Sequence, residues 1–121
     1  MPELVLCSSA ARTVETLDGI RGALAAETAI EIEPGLYGAG ADELLARVRR
    51  VPETVGGVLL IGHNPGMEDL ALSLTGGGDA AARAAMASKF PTAAVAHLRI
   101  EGEWSELREG AAHLERFWTP R

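Results

Sequence analysis

Val58-Leu59-Leu60-Ile61-Gly62-His63-Asn64-Pro65-Gly66-Met67 changes its hydrophobic period within ten residues. Residues 58–61 are apolar without interruption and lie between Gly56-Gly57 and Gly62, the pattern of a central strand covered on both faces. Beyond the His63-Asn64-Pro65-Gly66 turn, Met67, Leu70, Ala71 and Leu74 recur at spacings of three and four. That period predicts a helix, stopped by Thr75 and Gly76-Gly77-Gly78. A buried strand that feeds directly into a helix is the repeating unit of a parallel sheet.

The same unit recurs toward the N-terminus. Glu3-Leu4-Val5-Leu6-Cys7 reads as a buried strand, Ser8-Ser9 as a turn with Ser9 available as an N-cap, and Val14, Leu17, Ile20 and Leu24 as one face of a helix. Ala29-Ile30-Glu31-Ile32-Glu33 alternates like a half-exposed strand until Pro34-Gly35 breaks it. After a loop through Gly40, Leu44, Leu45, Val48 and Val51 mark a second helix. It opens on Asp42-Glu43 and closes on Arg47, Arg49 and Arg50, the charge order a helix dipole favours. These arginines read as a helix C-terminus rather than an anion site.

Toward the C-terminus, the Ala-rich residues 79–88 fit either a helix or a mobile excursion. Val95, Leu98 and Ile100 predict a strand within 92–100, Glu101-Gly102-Glu103 a hairpin turn, and 114–118 a last strand. The order β-α-β-α-β-α followed by strands predicts an α/β layered sheet in a single domain spanning 1–121, with no internal repeat.

Composition narrows the function classes. Hydrophobic residues make up 47% of the 121 and charged ones 23%, enough apolar content for a core and too much for a disordered chain. Eleven Lys+Arg against 17 Asp+Glu give a net charge of -6, which argues against nucleic acid as a partner. No apolar run approaches the roughly 18 residues that span a bilayer, so a cytoplasmic protein without a membrane partner is expected. The lone Cys7 reads as a small buried hydrophobe. No Cys/His set has zinc spacing, so neither metal nor cofactor is expected. Gly76-Gly77-Gly78-Asp79 follows a helix and therefore lacks the setting of a phosphate-binding loop. Trp104, Phe117 and Trp118 are read as core packing or edge cover.

Two strand-to-helix turns carry polar groups where open α/β sheets bind ligands. Arg12 lies in the opening turn of the first helix, and His63 directly follows the strand at 58–61. An arginine fork and backbone N–H groups suit phosphate oxygens, and a histidine beside them can donate a hydrogen bond or move a proton. Solvation or capping at a short turn explains the same residues, so both readings stand at this point.

The segments Leu4-Val5-Leu6-Cys7-Ser8-Ser9-Ala10-Ala11-Arg12-Thr13-Val14-Glu15-Thr16 and Leu60-Ile61-Gly62-His63-Asn64-Pro65-Gly66-Met67-Glu68 together resemble the histidine phosphatase superfamily. Within it they resemble the short SixA-like phosphohistidine phosphatases, as do Phe90-Pro91-Thr92-Ala93-Ala94 and the closing Phe117-Trp118-Thr119-Pro120-Arg121. The resemblance implies a phosphoglycerate mutase-like three-layer sandwich with a mostly parallel sheet. It also implies hydrolysis of protein phosphohistidine or a small phosphoester through a phosphohistidine intermediate, with no cofactor. Arg12 matches the family's second phosphate-binding arginine and His63 its second histidine. Asn64 is a further substrate-binding candidate, with helix capping as its other reading. The family's nucleophile lies in an Arg-His-Gly or Arg-His-Ala motif after a first strand, and no Arg-His pair occurs in this sequence. The resemblance therefore implies a C-terminal portion of the fold, N-terminally truncated, inactive alone, with a vacant sheet position beside Ile61 that invites self-association. A non-catalytic phosphate-binding or interaction module is the alternative. His97 and His113, in or near late strands, are not read as replacement nucleophiles.

Overall fold

The structure is a computed structural model that describes residues 2–91 and 94–119. In chain order the elements are β1 (Leu4–Ser8), α1 (Ala11–Ile20), β2 (Ala29–Glu33), α2 (Ala41–Arg49), β3 (Val58–Ile61), α3 (Gly66–Leu74), β4 (Thr75–Gly78), α4 (Ala80–Ser88), β5 (Val95–Ile100) and β6 (Ala112–Trp118).

The strands form two three-stranded sheets. The first, β2-β1-β3, is entirely parallel, with Cys7 opposite both Ile32 and Ile61. In the second, β4-β6-β5, β4 runs parallel to β6 and β5 antiparallel to it. Strand alternation builds the layers of the first sheet, because successive side chains point to opposite faces. Leu4 and Leu6 pack with Leu44 and Val48 of α2 and Leu70 and Leu74 of α3. Val5 and Cys7 pack on the other face with Leu17 of α1 and with Ile61. This is the mostly parallel, helix-sheet-helix arrangement expected from the element order.

The centre of that sheet differs from the sequence expectation. β1 lies between β2 and β3 and is buried at all five positions, whereas Val58, Leu59 and Leu60 are only half-buried. A continuous apolar run marks a strand with apolar neighbours on both faces, but it does not report how many edges are hydrogen-bonded. Among the described residues, β3 pairs with β1 alone and its second edge carries no strand.

Other expectations need smaller corrections. Ser9 is exposed and does not cap α1, whose N-cap is Ala10 without a side-chain bond; Leu24 falls beyond a 3-10 turn at Arg21–Ala23. The glycines 76–78 do more than stop α3. They form β4, in which Gly76 lies against the Gly110 carbonyl and Gly78, at φ +121°, against the Leu114 backbone. A Cβ at either position would strike main chain, so only glycine allows this approach to β6. Residues 80–88 are a helix, with Asp79 as N-cap accepting from Ala82 N at 2.8 Å and Met86 buried. β5 and β6 are antiparallel as a hairpin requires, but the connection includes a 3-10 turn at Trp104–Glu106. Trp104 donates Nε1–H to the Val55 carbonyl and Phe117 packs on Phe90, while Trp118 is exposed. Thr92, Ala93, Pro120 and Arg121 of the motif segments lie outside the described residues. Among the described residues, no helix is long and apolar enough to cross a membrane.

The arginines at the end of α2 are structural. Arg47 donates from Nε and Nη2 to the two Glu33 carboxylate oxygens, each at 2.7 Å, and Arg49 donates to the Leu107 carbonyl at 2.6 Å. Cys7 is fully buried, and burial raises its thiol pKa, which leaves it a protonated, apolar-like core group.

Candidate functional site

Parallel pairing of β1 with β3 places both carboxyl ends at one edge of the sheet. Each strand there turns into a helix within a few residues, so the N-termini of α1 and α3 open toward the same side. The first turn is held by Thr13, buried in α1, whose hydroxyl donates to the Ser8 and Ala10 carbonyls at 2.8 and 2.9 Å. The second is fitted against the loop before α2. Gly66 sits so close to the Ala39 carbonyl that any Cβ there would collide with it.

His63 leaves β3 two residues after Ile61 and meets the end of β1: its Nε2 lies 3.3 Å from the hydroxyl of the fully buried Ser8. The Tyr37 ring lies tilted beside the imidazole, with centroids 6.0 Å apart. In front of His63 is a cavity of about 130 Å³, walled by Gly38–Gly40, Asn64, Gly66 and Asp69. It is large enough for an anion of phosphate size, and it combines a ring nitrogen, a helix N-terminus and a glycine-rich wall.

The structure groups His63 and Asn64 on this cavity and leaves Arg12 apart from its walls. Arg12 is exposed in the first turn of α1, at the same end of the sheet, and takes no ion pair among the described residues. The Asn64 side chain bridges two segments: Nδ2 donates to the Phe90 carbonyl at 2.9 Å and Oδ1 accepts from Glu68 N at 3.2 Å. Both ends are thus engaged in holding the start of α3. His97 is exposed on β5, and His113 is half-buried on β6 beside Gly77. Neither lines the cavity. Among the described residues, no three His, Cys, Asp or Glu side chains are grouped to hold a metal ion.

Sequence reading missed Ser8, Tyr37 and Asp69 as neighbours of His63. Ser8 carried a usable signal, since it ends a buried strand that lies parallel to the one leading into His63. Tyr37 precedes the loop that packs on Gly66, a contact with no local sequence mark, whereas Asp69 lies in the first turn of α3, just after His63.

No family model matches the chain. It is 35% identical over 125 residues to an uncharacterized protein of Mycobacterium tuberculosis (strain ATCC 25618 / H37Rv), covering 98% of this chain and 74% of that protein. An uncharacterized protein of Mycobacterium leprae (strain TN) is 36% identical over 124 residues, covering 98% and 72%. Among solved structures, the "Putative Phosphohistidine Phosphatase SixA" of Nakamurella multipartitia superposes with a TM-score of 0.83 at 30% identity, over 98% of this chain and 71% of that one. The "putative phosphohistidine phosphatase SixA" of Agrobacterium tumefaciens gives 0.78 at 29% identity, over 99% and 69%. Fold and strand-end site thus define the α/β phosphoglycerate mutase-like class. Within it, the chain belongs to the SixA family of the histidine phosphatase superfamily.

Proposed function

We propose that this chain carries the phosphate-binding half of a phosphatase site acting on protein phosphohistidine or a small phosphoester. The observation that carries the reading is the meeting of the β1 and β3 carboxyl ends at the Ser8–His63 contact, beside a phosphate-sized cavity. His63 acts as hydrogen-bond donor to the phosphoryl oxygens. Arg12 swings over the end of β1 to supply the permanent positive charge, and Asn64 fixes the start of α3 and lends its backbone to the same anion. These roles suit a reaction whose barrier depends on stabilising charge spread over equatorial oxygens. The resemblance to the solved SixA proteins supports the substrate class.

The resemblance implies attack by a histidine of an Arg-His-Gly or Arg-His-Ala motif, but no Arg-His pair occurs in the sequence and neither His97 nor His113 lines the cavity. In the family that motif ends a strand. Phosphate release from phosphohistidine and from an aryl phosphate, measured for the chain alone and with such a strand added in frame before Met1, tests this. The chain alone is expected to be slower by several orders of magnitude, because binding and oxyanion stabilisation remain without attack. Turnover by the chain alone, lost on replacing His97 or His113, would assign the nucleophile elsewhere. Phosphate binding without turnover by either form favours a non-catalytic binding module.

A further inference from the structure

We infer that Ser8 is a positioning residue that holds His63 in its Nδ1–H tautomer. Ser8 is the last residue of β1 and has no solvent exposure. A serine hydroxyl has one proton to give and two lone pairs to receive on. One lone pair takes the Ala10 backbone N–H, at 3.4 Å. The acceptor within reach of the hydroxyl proton, among the described residues, is His63 Nε2 at 3.3 Å. A buried hydroxyl donor without an acceptor is costly, so the proton goes to Nε2, and Nε2 must then be unprotonated. In the neutral ring the proton consequently resides on Nδ1.

The alternative arrangement, with Nε2–H donating to Ser8, leaves the serine proton unpaired on a fully buried side chain. Among the described residues, the Ser8 hydroxyl donates to no carbonyl of this turn; Thr13 holds those instead. The single proton of the Thr13 hydroxyl is shared between the Ser8 and Ala10 carbonyls, at 2.8 and 2.9 Å. The Cys7 thiol also points to the Ser8 carbonyl, at 3.3 Å. The turn after β1 is thus arranged so that its hydroxyl faces His63 as a donor.

The consequence for the site rests on the phosphate-binding reading above. With Nε2 engaged by Ser8, Nδ1–H is the ring's donor to an anion, and the imidazole meets it in a set orientation instead of sampling two tautomers. Ser8 contributes by fixing the ring and makes no claim on the phosphoryl group.

The test is the pattern of ¹⁵N and ¹³Cδ2 chemical shifts of His63 in the 121-residue chain, at a pH where the ring is neutral, followed by titration with inorganic phosphate. The wild-type ring is expected as Nδ1–H. Ser8→Ala is expected to move it toward Nε2–H and to weaken phosphate binding about fivefold, the ratio that follows from losing one ordinary hydrogen bond. Ser8→Thr, which keeps the hydroxyl, is expected to retain the wild-type shifts. A wild-type His63 found as Nε2–H overturns the proposal and needs no variant to fold. Unchanged shifts in a folded Ser8→Ala chain overturn it as well. An Nδ1–H ring in a chain that does not bind phosphate upholds the assignment of Ser8 while counting against the phosphate-binding reading, so the two fail separately.

Discussion

Gly66 shows how one residue shapes the site. Its Cα hydrogen points at the Ala39 carbonyl, and through that approach the 38–40 loop becomes a wall of the His63 cavity. Gly66→Ala must push main chain away from main chain, since no flexible side-chain end can yield. The expected result is a loss of about 1–3 kcal/mol, the usual cost of overpacking, read as a lower denaturant midpoint at unchanged slope. Gly35→Ala, at a position where an added Cβ meets nothing within 4 Å, serves as the control and is expected to lack that collision cost. Residues of this kind explain what was legible in the sequence. His63 and Arg12 were visible because each directly follows or closely trails a β-run, where chain geometry alone points to the carboxyl edge of a sheet. The 38–40 wall was not, because its place depends on a contact between segments some 25 residues apart in sequence, which no local period encodes.

At the scale of elements, the tie between β2 and α2 is the clearest polar device. The Arg47 side chain is largely buried, and its fork clasps the Glu33 carboxylate, with Glu31 nearby at 3.7 Å. The bond from Arg47 is the main cause that holds the Glu33 carboxyl below its ordinary value of 4.5. A carboxyl depressed in the folded state gives its full stabilisation above the unfolded value and loses it as pH falls through the folded one. Arg47 stays charged throughout and adds no slope of its own there. Wild type is therefore expected to lose about 1 kcal/mol on acidification below the normal carboxylate range, within the span of charge-assisted hydrogen bonds after partial screening. Glu33→Gln should remove that contribution at neutral pH and flatten the same part of the acid profile, as followed by denaturant unfolding from pH 7 downward. A wild-type profile no steeper than that of Glu33→Gln would show that the pair adds no stability. Periodicity located both elements, and the charge order at the end of α2 was read correctly as structural. The partner of Arg47 was not legible, because β2 and α2 alternate and repeat independently and only the parallel β1–β2 register sets their contact.

For the whole molecule, two expectations meet at the edge of the first sheet: the apolar run at 58–61 reads as central, and the family resemblance leaves a vacant position beside Ile61, where among the described residues no strand pairs with β3. Val58–Ile61 was expected at the centre of one sheet, yet it forms an edge of the first sheet while β1 takes the centre. Pattern alone could give the strand and not its rank, since rank depends on which strands arrive on each side. Half-buried Val58, Leu59 and Leu60, on a strand without a second partner among the described residues, offer both backbone donors and apolar surface to another chain. Sedimentation is accordingly expected to give a mean mass that rises above 12.7 kDa with concentration, and a Lys at position 59 or 60 is expected to suppress the rise. A cooperative monomer at all concentrations would contradict this. The proposed phosphate site rests on the carboxyl ends of β1 and β3 acting together. Calorimetric titration of the 121-residue chain with inorganic phosphate or vanadate, beside Arg12→Ala and His63→Ala, tests it most directly. One site per chain is expected in the wild type, weakened at least about tenfold by either substitution, as the loss of a charge-assisted hydrogen bond implies. Wild-type binding that neither substitution alters, or no binding at all, would contradict it.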